Sequence, residues 1–393
     1  MTVRLCVVSF KECWQDESGR WWSYGGFPMQ IAGVSSLFDE TTLVIVRGAS
    51  RSGGIPLSGA SRTIALRPPQ GADLRRKISV VLNLPYYLAT IAKHVRGADV
   101  VHTPTPGDMP LLGMLIALLF RKRLIVRYGS SWVTTSQTTL TNRFTRACMR
   151  WFAGGRNVML ATGEGFHVPA RGMRWVFSTA LSTAELNRIQ PHLDRGLSQP
   201  ARLVYVGRLS PEKGVAVLVR AMAILRDEGR RPLPHLTLVG DGPERRSLEQ
   251  LVSALACDEL IGFAGHCNRE ELSTHLMRAD ICVQPSLSEG FSKAWLDAMA
   301  YGLPVLASNV GAAESVIGVS PEDARGWLVP PGDARQLANA LWHAIETPRD
   351  WPALRRRCRA YVESRTLEAW VRQIGEVCAA QWNFSLVDGK LRP

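Results

Sequence analysis

The stretch Ser286-Leu287-Ser288-Glu289-Gly290-Phe291-Ser292-Lys293-Ala294-Trp295-Leu296-Asp297-Ala298-Met299-Ala300-Tyr301-Gly302-Leu303-Pro304 follows a short apolar run, Ile281-Cys282-Val283. The two read as a buried strand, a turn and a helix, with Gly302 and Pro304 as the helix stop. Glu289 falls in the turn and Asp297 two helical turns later, which sets the carboxylates roughly 12 Å apart at about 1.5 Å per residue. Between them lie the first N–H groups of the helix, unpaired within it and carrying the positive end of its dipole, a setting that suits a phosphate. One acid can then hold hydroxyls on one side of a diphosphate and the other acid hydroxyls on the far side, which is the outline of a nucleotide sugar. A capping acid followed by a solvated helical acid would look the same, so companions elsewhere in the chain decide.

One companion is Val206-Gly207-Arg208-Leu209-Ser210-Pro211-Glu212-Lys213-Gly214. A strand ends at Gly207, and two cations five residues apart flank a Ser-Pro turn before a helix, so both can reach one diphosphate. Alone, this too could be a solvated loop pair. In order along the chain, the two stretches resemble the G-R-x-x-x-x-K-G and Glu-x7-Glu signatures of the retaining, family 4 (group 1) glycosyltransferases, which have the GT-B fold. The resemblance implies that Arg208 and Lys213 bind the donor diphosphate and that Glu289 contacts the donor sugar. These three are the candidate catalytic residues. Asp297 stands where the family has a ribose-binding Glu and is one methylene shorter. Gly207, Gly290, Phe291 and Ser292 fall in the same donor loops.

Strand-like runs alternate with longer helical segments through both halves: Val3–Phe10, Thr41–Arg47, Thr63–Leu66, Asp99–His102, Arg123–Arg127, Asn157–Ala161 and Arg174–Ser178, then Arg202–Val206, Leu236–Val239, Ile261–Ala264, Ile281–Val283, Val305–Ala307 and Trp327–Val329. This spacing predicts two α/β domains, each a doubly wound parallel sheet with right-handed crossovers. At 393 residues the chain fits two domains of about 150 to 200 residues. The expected division is 1–180 for acceptor binding, a linker at 181–200 where the strand pattern is lost, and 201–366 for the nucleotide sugar. By resemblance to GT-B, the two domains face a central cleft and the tail, 367–393, crosses back onto the first.

Trp21-Trp22-Ser23-Tyr24-Gly25-Gly26-Phe27 follows the first strand, and paired glycines let backbone approach a ligand closely. Gly25 and Gly26 match the family's glycine-rich loop near the donor phosphates; a bland flexible turn is the other reading. Asp99-Val100-Val101-His102-Thr103-Pro104 and Arg127-Tyr128-Gly129 lie at strand ends. Arg127 could hold an anionic group by a bidentate contact, with Tyr128 and His102 as further acceptor candidates. A buried, satisfied imidazole is the alternative for His102. Gly240-Asp241-Gly242-Pro243 begins like a dinucleotide fingerprint, but Arg245 replaces its third glycine, so a structural turn is expected. Asp333 reads as a helix cap.

The net charge of +13 is uneven: residues 1–200 hold 24 Lys and Arg against 11 Asp and Glu, and residues 201–393 hold 23 of each. An anionic partner for the first half follows. Arg143, Arg146 and Arg150 share one predicted helix face, with Phe144, Cys148, Trp151 and Phe152 spread over the other side, and Arg75-Arg76-Lys77 precedes Leu84-Pro85-Tyr86-Tyr87. An anionic membrane surface and an ordinary solvated basic face both fit. Met109–Phe120, the longest apolar run, is too short to span a bilayer and reads as a buried crossover helix.

The eight cysteines show no C-x-x-C pair or zinc spacing, and with no export signal in the N-terminal residues they read as reduced thiols in a cytosol. No Asp-x-Asp occurs, so no metal ligands are assigned and no cofactor is expected. The expectation is a retaining, metal-independent hexosyltransferase. It would take a nucleoside-diphosphate sugar as donor and a glycan or lipid-linked acceptor, in bacterial lipopolysaccharide, capsule or exopolysaccharide synthesis, in the cytoplasm and peripheral on the inner membrane. A sugar-nucleotide epimerase or phosphorylase on the same fold is the nearer alternative. A basic nucleic-acid-binding protein is the farther one, although no nucleic-acid recognition motif is present.

Overall fold

The computed structural model of the chain describes residues 2–49, 54–71, 73–132, 134, 138–165 and 167–393. The chain forms two compact units, one of Met1–Ala180 with Leu367–Pro393 and one of Leu181–Thr366.

In chain order the first unit runs β1 (Arg4–Gln15), β2 (Trp21–Ser23), α1 (Phe27–Ser36), β3 (Glu40–Arg47), β4 (Ile55–Pro56), β5 (Arg62–Leu66), α2 (Asp73–Leu82), α3 (Leu84–Arg96), β6 (Val100–Thr105), α4 (Asp108–Leu119), β7 (Arg123–Tyr128), α5 (Leu140–Trp151), β8 (Asn157–Thr162) and β9 (Met173–Val176). The parallel sheet is ordered β5-β3-β1-β6-β7-β8-β9. Its strands have apolar neighbours on both faces, so β6 is buried at every position and reads as a continuous run rather than an alternation. The run Met109–Phe120 is the crossover helix α4, with Met109, Met114 and Ala117 in the core.

The N-terminal strand is longer than its sequence suggests. It was expected to end at Phe10, but β1 passes through an irregularity between Val8 and Glu12, buries Cys13 and Trp14, and turns back antiparallel into β2. Lys11 and Glu12, which broke the apolar pattern, lie at this irregularity, where the ladder need not alternate.

The second unit runs α6 (Thr183–Arg188), β10 (Arg202–Val206), α7 (Val215–Asp227), β11 (His235–Val239), α8 (Arg245–Ala254), β12 (Ile261–Gly265), α9 (Arg269–Arg278), β13 (Ile281–Gln284), α10 (Lys293–Ala300), β14 (Val305–Ser308), α11 (Ala313–Ile317), β15 (Gly326–Val329), α12 (Ala334–Glu346) and α13 (Trp351–Glu363). Its six strands are parallel and ordered β12-β11-β10-β13-β14-β15. Chain direction across the sheet reverses between β10 and β13, the crevice where open α/β sheets bind ligands. Asp333 caps α12 through the Gln336 amide.

Residues 181–200, expected as a linker, belong to this second unit. Ser182 and Glu185 form a capping box on α6, and Leu181 and Leu186 are buried. Arg195 and Ser198 bond the buried Asp280 carboxylate, which Arg355 also meets at 3.4 Å. Polar composition here serves caps and a buried ion network rather than a free connection.

The chain ends with α14 (Leu367–Trp382) and the hairpin of β16 (Ser385–Val387) and β17 (Lys390–Arg392), all within the first unit. Helix α14 buries Trp370, Ile374 and Cys378 and packs on α1, and Lys390 lies 3.3 Å from the Asp39 carboxylate. The whole charge excess therefore sits in the first unit, with 25 Lys and Arg against 12 Asp and Glu.

Candidate functional site

In the second unit three loops converge at the carboxyl ends of β10, β13 and β14. After β10 the chain passes through Gly207, whose N–H donates to Val239 O at 3.0 Å, while Leu209 N–H donates to Asp241 O at 3.0 Å. The Gly240-Asp241-Gly242 turn supports this loop from below. A Cβ on Gly240 would stand 1.9 Å from the Gly207 carbonyl oxygen, and one on Gly242 would stand 2.2 Å from that of Leu209. These glycines are there for backbone contact.

Pro211–Lys213 forms one 3-10 turn ending at Gly214, with φ at +63°. Its Cα faces the second loop so closely that a Cβ would lie 2.3 Å from Pro285 O. The Glu212 carbonyl accepts from Leu287 N–H at 2.9 Å, tying the loop after β10 to the loop after β13. This tie brings Lys213 to Glu289, and the ammonium donates directly to Oε2. Both side chains are largely buried, at 22% and 15% exposure.

The third loop fixes the Glu289 backbone. Ala312 N–H donates to Gly290 O at 2.9 Å, and Gly311 (φ +60°) packs so tightly that a Cβ would meet Glu289 O at 2.2 Å. Ser292 is the residue before α10, and its hydroxyl makes no capping bond, while its carbonyl accepts from Trp295 N–H at 3.3 Å. Phe291 is buried against Trp295, with ring centroids 6.0 Å apart.

Arg208 is exposed in the same loop, and its carbonyl accepts from Tyr205 Oη at 2.9 Å. Burial, with the Glu289 charge behind it, pushes the Tyr205 hydroxyl far above its usual range, so it stays a neutral donor. Burial would raise the Glu212 carboxyl as well, but the Ser210 hydroxyl, its own amide, Lys213 and Arg208 hold it below the ordinary value.

Asp297 is placed differently. Its carboxylate meets Arg269 Nη1 at 3.6 Å, and the same guanidinium receives Glu185 at 3.0 Å. Burial pushes the Asp297 carboxyl up, against the pull of Arg269 and Lys293. The structure thus joins Lys213 with Glu289 and Asp297 with Arg269. Arg269, a residue the sequence reading missed, has no local signal of its role: it opens α9 behind the Asn268 cap, far along the chain from Asp297.

In the first unit Gly25 has φ at +72° with open space where a Cβ would be, and Gly26 precedes α1 with no side-chain cap. The hairpin strand β2, not β1 itself, leads into this turn. Arg127 Nη2 donates to Gln30 Oε1 at 3.1 Å, and its guanidinium lies 5.6 Å from the Trp370 ring centroid. Burial lowers this guanidinium to about 10, its Nε has no partner, and among the described residues no carboxylate pairs with it. Tyr128 and His102 both lie inside the first unit, each about 1% exposed. Tyr128 is buried against Trp132, and His102 is buried with Nδ1 3.1 Å from Ile125 O. Burial first and Arg127 second lower the imidazole to about 3, so it is neutral. A polar residue in an all-buried strand is satisfied from within the sheet.

Residues 200–347 match the family model described as glycosyl transferases group 1. The second unit belongs to the group 1 glycosyl transferases. Over 174 residues the chain is 32% identical to the amylovoran biosynthesis glycosyltransferase AmsK of Erwinia amylovora, covering 43% of this chain and 42% of that protein. Over 179 residues it is 34% identical to the MMP alpha-(1->4)-mannosyltransferase of Mycolicibacterium hassiacum, covering 44% and 42%. The chain thus spans about two-fifths of the length of these curated relatives. The crystal structure of Anabaena Alr3699/HepE in complex with UDP and glucose superposes with a TM-score of 0.69 at 17% identity, covering 97% of this chain and 100% of that one. That likeness shows the fold, which is GT-B. Within the group 1 unit, the family match embraces Arg208, Lys213, Glu289 and Asp297 alike. Among the described residues no cluster of three or more His, Cys, Asp or Glu is placed to hold a metal ion.

Proposed function

We propose that this chain is a retaining glycosyltransferase that moves a hexose-type sugar from a nucleoside-diphosphate sugar to a glycan or lipid-linked acceptor in bacterial cell-surface polysaccharide synthesis, in the cytoplasm. The observation that carries the reading is the Lys213–Glu289 contact at the reversal point of a group 1 sheet, beside the uncapped start of α10. A cation for the diphosphate and a carboxylate for sugar hydroxyls stand side by side there. The named activities of AmsK and the mannosyltransferase, and the UDP and glucose held by Alr3699/HepE, agree with this assignment.

In the proposed step the bond from the anomeric carbon to the diphosphate oxygen breaks as the acceptor oxygen bonds to the same face. The acceptor proton passes to a phosphate oxygen of the departing nucleoside diphosphate. Lys213, Arg208 and the α10 N–H groups stabilise the charge that grows on that leaving group, an interaction stronger in the transition state than in the ground state. Glu289 orients the sugar, and Phe291, Ser292 and Gly290 shape the loop around it. Gly207 lets the diphosphate approach the backbone, and Gly25 and Gly26 form the corresponding open turn of the first unit. Asp297 serves the ribose, with Arg269 fixing its direction. Arg127, a cation without a carboxylate, takes an anionic group of the acceptor. The scheme uses no cofactor and no metal.

The test is incubation with UDP-, GDP- and ADP-sugars and a bacterial lipid extract, with the product followed by proton NMR. An anomeric coupling that matches the donor supports retention; the opposite anomer sinks it.

A further inference from the structure

We propose that the outer face of α5 is a docking surface for an anionic lipid bilayer. Helix α5 buries Cys148 and Met149 in the core and carries a second apolar stripe on its outer face. Its inner face holds Thr145, Arg146, Cys148 and Met149, all buried. Arg146, expected on a basic outer face, instead turns inward and donates to Trp132 O at 2.6 Å. The residues at i, i+4, i+7 and i+11 from Leu140 are Leu140, Phe144, Ala147 and Trp151, which share an arc of about 60° at the α-helical period. That apolar stripe faces solvent, with Leu140 80%, Phe144 48% and Trp151 78% exposed.

Arg143 and Arg150, both exposed, flank the stripe on one side. Arg150 also reaches over the Trp132 ring, 5.7 Å from its centroid, which keeps the charge beside the stripe. The pattern recurs on α2, where Ile78 and Leu82 are 51% and 76% exposed next to the exposed Arg75 and Lys77. Helices α3, α4 and α5 contribute Tyr87, Met114 and Met149 to one core on one face of the sheet, and α2 packs on α3. Both stripes thus belong to the same helical layer, in the unit that carries the chain's entire positive excess.

Charge complementarity selects the occupant. A second copy docked on this face would set Arg143 and Arg150 against their own like charges, whereas anionic headgroups pair with the bases as Phe144 and Trp151 enter the acyl boundary. This surface would hold the first unit at the membrane irrespective of which sugar the second unit binds.

The experiment is cosedimentation of the full chain, without any donor, with vesicles of phosphatidylcholine alone or mixed with phosphatidylglycerol. Binding to the mixed vesicles only, falling as salt is raised, is expected. The Phe144→Glu/Trp151→Glu double variant should bind at least about tenfold more weakly. Arg143→Gln/Arg150→Gln should lose the preference for phosphatidylglycerol. All four side chains are exposed, so each variant should melt as the native chain does. No sedimentation of the native chain, or undiminished binding by the folded Glu double variant, would overturn the proposal. So would light scattering that shows a dimer dissolved by that variant with no vesicle binding. Because no donor is present, these outcomes leave the transferase reading to its own test.

Discussion

Lys213 donates to Glu289 across two loops that leave the neighbouring strands β10 and β13. The pair joins the two loops, and in the proposed function the ammonium meets the donor's phosphate and the carboxylate the sugar hydroxyls. Lys213→Ala removes a charge-assisted bond worth about 1.5–3 kcal/mol and should lower turnover roughly 10- to 150-fold, with a smaller change in KM. Glu289→Ala should cost more, because the reacting sugar itself is misplaced. Steady-state kinetics with saturating acceptor checks both.

Gly214 sets the geometry of that pair. With φ at +63° and Pro285 O where a Cβ would sit, Gly214→Ala must move the backbone between Lys213 and the β13 loop. A strained residue of this kind costs about 1–3 kcal/mol. Chemical denaturation should show that loss, with activity falling further than stability explains. Gly25→Ala, strained in φ alone and facing open space, should be milder.

His102 gives the first unit a defined pH response. Buried, it titrates near 3, whereas the unfolded chain takes up that proton near 6.5. Between those values the unfolded state binds the extra proton. His102 therefore leaves stability intact above about pH 6.5 and removes it as pH falls towards 3, at up to about 1.4 kcal/mol per unit. Denaturation curves between these values should show a shallower slope for His102→Gln than for the native chain.

Arg127 is a desolvated cation whose side-chain hydrogen bond goes to the Gln30 amide. Arg127→Gln should raise KM for an anionic acceptor by about 10- to 100-fold, as expected for a lost charge-assisted bond, and leave slow donor hydrolysis unchanged. Equal loss in both reactions would place Arg127 in the scaffold instead.

Where periodicity and local turn chemistry decide, the residues were readable in advance. The strands of the second unit fall within one residue of their apolar runs, because short parallel strands, buried throughout in β13 and β14, read as apolar runs between turns, and Arg208, Lys213 and Glu289 sit in those turns. What was hidden is decided by distant contacts. The pairing of Asp297 with Arg269 and Glu185 joins three helices, the inward turn of Arg146 depends on the Trp132 carbonyl, and the burial of Tyr128 and His102 follows from strand order. The β1 hairpin was masked because Lys11 and Glu12 interrupt the apolar run at the irregularity itself.

The most direct test of the account is nucleoside diphosphate release from a panel of UDP-, GDP- and ADP-sugars, with and without bacterial lipid extract, for the native chain and Glu289→Ala. Release from one donor that requires both the extract and Glu289 is the predicted result. Release that Glu289→Ala leaves intact, or no release from any donor by the folded native chain, would contradict the assignment of this crevice to sugar transfer.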